Sequence, residues 1–397
     1  MPSLLYIGQN PAQGTGSPVV ILRHLRRFSA DGWEIRVVAE YGGDYSAIAS
    51  SDWKVISLPS RRRWWPPYKD GNRLLRWLRL RLLACEIVNA QTTSPDVVLS
   101  YLASHTDFAS AVAGHYASVS GRPLHVLVHD DAASFLGSKR RIAALRRNQS
   151  TTLVSAVAVW FVSEELASAY PSVLPSRRRV LLPLPEVKRA AATWHRGRAA
   201  LRVYYAGHVW PEQVGLLEKC ALAIASVGGQ LVVIANPCTQ LIAAASRVPI
   251  ELRPLFPTNE VALEHLRQDA TATIVSYSED VSVMPWSRTS FPSKLIEYAN
   301  IGLPLALVAP VETAVQRWTG RIGFASAFRP NELSKMCLWL ADLRNVEAWD
   351  AASAASLSLA SGPADPARIH GELDSAFRDH VATRRGSRFV EGRLSFA

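Results

Sequence analysis

Short apolar runs alternate along this chain with stretches of helical period, and near the middle the alternation begins again. Strand followed by helix, repeated, builds a parallel sheet, because each parallel crossover needs a connection long enough to hold a helix. The runs at residues 4–7, 34–39, 55–58, 97–101, 124–128 and 158–162 predict the strands of one unit. Those at 201–207, 231–235, 251–253, 272–275 and 305–309 predict the strands of a second. The stretch from about 183 to 200 is rich in proline, alanine and arginine, carries no strand pattern and reads as a linker. At 397 residues the chain is too long for one common core. The expected organisation is α/β, with a first domain over 1–185, a second over 186–368 and a helical segment from about 369 to the end.

An apolar content of 48% with 19% charged residues excludes a disordered chain. No apolar run is long enough to span a bilayer. Cys85, Cys220, Cys238 and Cys337 form no C-x-x-C pair and have no histidine at metal spacing, so they are expected to be buried free thiols in a reducing compartment. The first strand follows Met1 too closely to leave room for an export signal, which predicts a cytoplasmic protein. The net charge of +11 is concentrated in Arg61-Arg62-Arg63-Trp64-Trp65-Pro66-Pro67-Tyr68-Lys69 and continues through Arg73, Arg76, Arg79 and Arg81 among leucines and Trp77. Cations beside tryptophan and leucine compose a segment that lies on an anionic membrane surface, each cation contributing about 1 kcal/mol. Nucleic acid is the competing partner, and no nucleic-acid motif accompanies the patch. A solvated basic face with its tryptophans on the core is the third alternative.

The most informative segment is Ser290-Phe291-Pro292-Ser293-Lys294-Leu295-Ile296-Glu297-Tyr298-Ala299-Asn300-Ile301-Gly302-Leu303-Pro304. It predicts a polar loop, a short helix with one acid, and a Gly-x-Pro turn into an apolar strand. A helix opening on Pro292 directs unpaired backbone N–H groups and its positive dipole end at a phosphate. Glu297 falls about one turn further in, where a carboxylate can accept both hydroxyls of a ribose; its alternative is a solvated surface acid. After the first strand, Gly14-Thr15-Gly16 lets the backbone approach an anionic or sugar ligand without an intervening Cβ. It is not a dinucleotide fingerprint, and the chain has no P-loop. His129 and Asp130 close the run 124–128, where a neutral imidazole can donate to a sugar hydroxyl. Alternatively His129 ends the strand and Asp130 caps the next helix. The adjacent carboxylates of Asp130 and Asp131 point apart and have no third ligand nearby in sequence, so metal-independent chemistry is expected. His105, beyond the preceding strand, reads as an ordinary loop residue.

The segment 290–304 resembles the nucleotide-sugar site of GT-B glycosyltransferases, specifically the large retaining family that includes sucrose synthase and phosphatidylinositol mannosyltransferase. Tyr204-Tyr205-Ala206-Gly207-His208 sits where that family's second domain opens, and Val162-Ser163-Glu164-Glu165-Leu166 where its first domain closes, so the resemblance covers nearly the whole chain. It implies two Rossmann-like domains facing across a cleft, with the last helix crossing back to the first. It implies a bacterial-type enzyme that moves a sugar from a nucleotide-sugar donor to a lipid-linked or surface-glycan acceptor, with retention of configuration. No cofactor or metal is needed, and the protein would work at the inner face of the cell membrane. Glu297 would hold the ribose; Ser290, Phe291, Pro292, Ser293, Lys294 and Arg288, with Gly207 and His208, the diphosphate; His129 and Asp130 the reacting sugar; and Gly14, Thr15 and Gly16 the phosphates and acceptor. The chain departs from the family where an Arg and a Lys neutralise the leaving diphosphate, for His208 and Gln213 stand there, and Thr289 replaces a further acid. Arg288 and Lys294 are the nearest substitutes. Two alternatives accompany the enzyme: a degenerate GT-B protein that binds nucleotide sugars without turnover, and a sugar-nucleotide epimerase, which needs no lipid surface.

Overall fold

The computed structural model describes residues 1–12, 17–38, 46–56, 73–102, 107–135, 138–185, 191–195 and 200–394. The chain divides into two compact units, Met1–Leu181 with His370–Ala397, and Leu182–Ile369. The first unit holds strands β1 (Ser3–Ile7), β2 (Glu34–Val38), β3 (Lys54–Ile56), β4 (Val97–Tyr101), β5 (Leu124–Val128), β6 (Ala158–Phe161) and β7 (Arg178–Val180). They form one parallel sheet in the order β3-β2-β1-β4-β5-β6-β7, with Leu4 opposite both Ile35 and Val97. Every residue of β1, β4 and β5 is buried, the mark of strands covered on both faces and the reason their sequences run continuously apolar. Edge strand β7 escaped the sequence pattern because it reads Arg-Arg-Val and lies half in solvent.

The last helix, Pro366–Leu394, packs on the first unit from His370 onward. Phe377 stacks on Phe28 with ring centroids 4.9 Å apart, and Trp33 Nε1 donates to Asp374 Oδ1 at 2.7 Å. His24 is fully buried and faces His370, Nδ1 to Nδ1, at 3.3 Å. His370 Nε2 lies 3.1 Å from Asp31 Oδ2, so a proton on Nε2 leaves the His370 Nδ1 lone pair to accept from His24. Burial, then the neighbouring His370, hold the His24 imidazole well below its usual range, which keeps His24 neutral.

The second unit holds β8 (Arg202–Ala206), β9 (Gln230–Ile234), β10 (Ile250–Arg253), β11 (Ala272–Ser276), β12 (Leu305–Val308) and β13 (Ala327–Phe328), parallel and ordered β10-β9-β8-β11-β12-β13. The direction of winding reverses between β8 and β11, as it does between β1 and β4 in the first sheet. Loops leaving two such strands diverge to opposite faces and open a crevice beyond the carboxyl ends. Of the four cysteines only Cys220 is buried, and burial pushes its thiol up to about 12. Cys85, Cys238 and Cys337 are free but half-buried, correcting the expectation of four buried thiols: Cys238 precedes the helix Thr239–Ala245, and the others lie on helix flanks. Among the described residues no helix is long and apolar enough to cross a membrane.

Candidate functional site

The crevice of the second sheet is built from the end of β8 and the helix Ser293–Asn300. β8 ends in Gly207, whose φ of +107° lies in the region that favours glycine. A Cβ there would stand 2.8 Å from Lys294 Cε, so the turn is shaped around the lysine stem. Lys294 Nζ donates to Tyr205 Oη at 2.6 Å and to the His208 carbonyl at 2.8 Å. Four residues on, and therefore on the same helix face, Tyr298 Oη accepts from the Ala206 N–H at 2.7 Å and donates to the Ala206 carbonyl at 3.1 Å. Lys294 and Tyr298 thus fasten the helix to the strand end. Burial pushes the Lys294 amine down to about 7, against the opposing pull of Glu297. Glu297 is only 6% exposed, which overturns the alternative of a solvated surface acid. The helix has Pro292 at its N-cap position, which supplies no side-chain cap, and Ser293 opens it.

Gln213, in the place where the resembling family has its lysine, is committed to the fold. Its Nε2 donates to the Ser276 carbonyl at 2.7 Å and its Oε1 accepts from the Trp210 N–H at 2.9 Å, tying the loop after β8 to the end of β11. His208 is exposed, and burial and the Lys294 charge lower its pKa. Ser290 is buried, its N–H donating to the Trp286 carbonyl at 2.9 Å. Phe291 turns into the core, edge-on to Trp318 at 5.1 Å, so it supports the loop from below. Arg288 ends the 3-10 turn Pro285–Arg288 exposed, and among the described residues no hydrogen bond or ion pair joins it to Lys294. The structure therefore gathers Gly207, His208, Lys294 and Glu297 around the helix start that carries Ser290, Pro292 and Ser293.

In the first unit His129 directly follows β5. Its ring stands edge-on to Tyr101 at 5.4 Å, its Nε2 has no hydrogen-bond partner among the described residues, and burial pushes it down to about 4. It is thus a neutral imidazole at the carboxyl end of a central strand. The cap of the following turn, Ala132–Phe135, is Asp131 and not Asp130: Asp131 Oδ1 accepts from the Ala133 N–H at 3.1 Å and from Arg146 Nη2 at 2.7 Å. The arginine fixes which of the two carboxylates turns inward. Asp130 is half-exposed. Gly14, Thr15, Gly16, His105, Arg61, Arg62, Arg63, Trp64 and Trp65 lie outside the described residues.

No protein-family profile matches the chain, and no curated protein does. Solved structures match over almost its whole length. HepE of Anabaena, solved with UDP and glucose, covers 96% of this chain and all of its own at a TM-score of 0.65 and 10% identity. The α,α-trehalose 6-phosphate synthase of Burkholderia multivorans covers 98% of both chains at 0.62 and 11%. The sucrose-phosphate synthase of Thermosynechococcus elongatus covers 96% of this chain and all of its own at 0.62 and 11%. The fold is GT-B. On this GT-B chain, sequence reasoning missed the part played by Tyr205, Tyr298 and Gln213. A signal existed for one of them, because Tyr298 stands four residues after Lys294 on a single short helix.

Proposed function

We propose that this chain is a glycosyltransferase that takes a nucleotide-sugar donor at the crevice of its second unit. The observation that carries the reading is a lysine amine held against the glycine turn of β8, beside a buried glutamate on the same helix. On this reading a diphosphate at the helix start meets Lys294 and the first helical N–H groups, and Glu297, one turn further in, takes the ribose hydroxyls. HepE was solved with UDP and glucose, which makes UDP-sugars the first donors to try. His129 serves the reacting sugar as a neutral hydrogen-bonding group. Among the described residues no side chain stands out as a covalent nucleophile, which favours departure and attack on one face, with retention. The test is a thermal-shift screen of UDP-, GDP-, dTDP- and CMP-sugars, followed by assay of transfer and donor hydrolysis. Selective stabilisation with turnover supports the enzyme. Stabilisation without turnover selects the degenerate binder, a reading favoured by the engagement of Gln213 in the fold.

Lys294 makes the binding depend on pH. Held near 7, against 10.5 for a free lysine, the amine loses its proton first in the folded protein, so the unliganded protein gains stability as pH rises between those values. An anionic donor needs the protonated form. Nucleotide affinity is therefore expected to be full below about pH 7 and to weaken by up to tenfold per unit above it. Lys294→Arg, charged throughout, is expected to flatten the profile in titration calorimetry; an unchanged slope overturns the assignment.

The acceptor is proposed to be a lipid-linked or surface glycan met at the inner face of a bacterial membrane. The helix Arg73–Asn89 supports this: Leu74, Leu78 and Leu82 follow at four-residue spacing, all exposed, with Leu75 and Trp77 exposed beside them. Arg81 lies over the Trp77 ring at 5.2 Å, while Leu80, Leu83, Ala84 and Ile87 take the buried side. The protein is expected to sediment with anionic vesicles at low salt and to be released as salt rises, with blue-shifted tryptophan fluorescence when bound. Replacing Arg61, Arg62 and Arg63 with Ser is expected to weaken the association without altering nucleotide binding. Equal sedimentation of the triple variant points to a soluble acceptor.

A further inference from the structure

A row of aromatic rings runs across the crevice of the second unit. His208 stands edge-on to Trp210 with centroids 4.6 Å apart, Trp210 meets Trp286 at 5.6 Å, and Trp286 meets Tyr277 at 5.7 Å. His208 and Trp210 belong to the loop leaving β8; Tyr277 and Trp286 belong to the segment leaving β11, so the row bridges the two strands between which the winding reverses. Tyr277 is buried and anchors one end, whereas Trp210 keeps 38% of its surface in solvent. The loop is nevertheless held rigid, since Gln213 bonds the Trp210 N–H and the Ser276 carbonyl together. A fixed, exposed indole backed by a second indole is a stacking surface.

Its place relative to Lys294 indicates what stacks there. The carbonyl of His208 accepts from the Lys294 amine, while the ring of the same residue touches Trp210. Lys294 reaches from its helix to this loop, so its amine and the shelf adjoin the same residue, His208. Glu297 lies on the same helix as Lys294, one turn further from the helix start, whereas Trp210 lies on the loop leaving β8. With ribose on the glutamate and the diphosphate at the amine, the group left for the shelf is the one on the far side of the diphosphate. We propose that Trp210, supported by Trp286, is the stacking surface for the sugar ring of the donor, taking the apolar C–H face of a pyranose. This rests on the nucleotide-sugar reading and adds a specificity-determining residue to it. The shelf also offers a reason why His208 stands after Gly207 where the family that the sequence resembles has an arginine: on this proposal the loop carries a ring contact to the sugar in place of charge to the diphosphate.

The test compares UDP with UDP-glucose, and GDP with GDP-mannose, on the full chain by calorimetry and by indole fluorescence. In the wild type the sugar nucleotide is expected to bind more tightly than its diphosphate and to perturb indole emission more. Trp210→Ala is expected to lose that sugar increment, about five- to tenfold, while affinity for the bare diphosphate stays within twofold; Trp210→Phe is expected to keep most of it. Retained diphosphate binding also shows that the alanine variant is folded. If Trp210→Ala weakens diphosphate and sugar nucleotide equally, the shelf holds the base and the proposal is overturned; if it changes neither, the shelf holds nothing. Absence of binding by both pairs in the wild type would instead sink the nucleotide-sugar reading on which the proposal stands.

Discussion

Nucleotide affinity is expected to fall roughly 30- to 100-fold when Glu297 becomes Ala, about 2–3 kcal/mol, the size of charge-assisted hydrogen bonds to two ribose hydroxyls. The effect concentrates on this residue because Glu297 is only 6% exposed, and a buried acid that meets ribose replaces solvent with fixed geometry. Removal of the carboxylate also strips Lys294 of a neighbour that raises its pKa, so the pH profile of binding is expected to shift to lower pH. Glu297→Gln separates these effects: it keeps an acceptor of the same shape and is expected to lose less affinity than Ala. The measurement is calorimetric titration of variants whose unfolding remains cooperative. Wild-type affinity in a folded Glu297→Ala protein would remove the ribose assignment.

His129→Ala is expected to lower turnover by about two orders of magnitude or more while changing donor affinity less than threefold, the signature of a contact that matters mainly in the transition state. Burial holds the imidazole near 4, so it stays neutral across the working range, and no inflection near 6.5 from this group is expected in the rate profile. His129→Gln, neutral and able to donate, is expected to recover part of the rate. Parallel losses in kcat and donor affinity would make His129 a binding or packing residue, edge-on to Tyr101 and no more.

The site was legible in outline because its central part is local. Lys294, Glu297 and Tyr298 lie on one helix of eight residues, and the glycine before the apolar strand and the proline at the helix start are visible without any fold. What stayed hidden involves partners far apart in the chain. Gln213 could be recognised only as a departure from a pattern, since its partner carbonyl belongs to Ser276, 63 residues away. Arg288 looked as near to the phosphate as Lys294 by sequence distance, yet the 3-10 turn leaves it exposed while Lys294 reaches the His208 carbonyl 86 residues upstream.

By itself the sequence determined that the chain makes two parallel α/β units, because strands covered on both faces must read as unbroken apolar runs and helices between them must show their own period. It also determined which helix carries the acid and the amine. Only the tertiary structure decided the strand order, and with it the crevice between β8 and β11 where the β8 loop, the β11 loop and the helix Ser293–Asn300 meet. It alone decided that Glu297 is buried, that Asp131 and not Asp130 is bound by Arg146, and that Trp210, Trp286 and Tyr277 stand in a row. The physical reason is the same in each case. Periodicity records which side of an element avoids water, whereas hydrogen bonds and ring contacts between distant segments depend on which strands pair, and no local pattern encodes that choice.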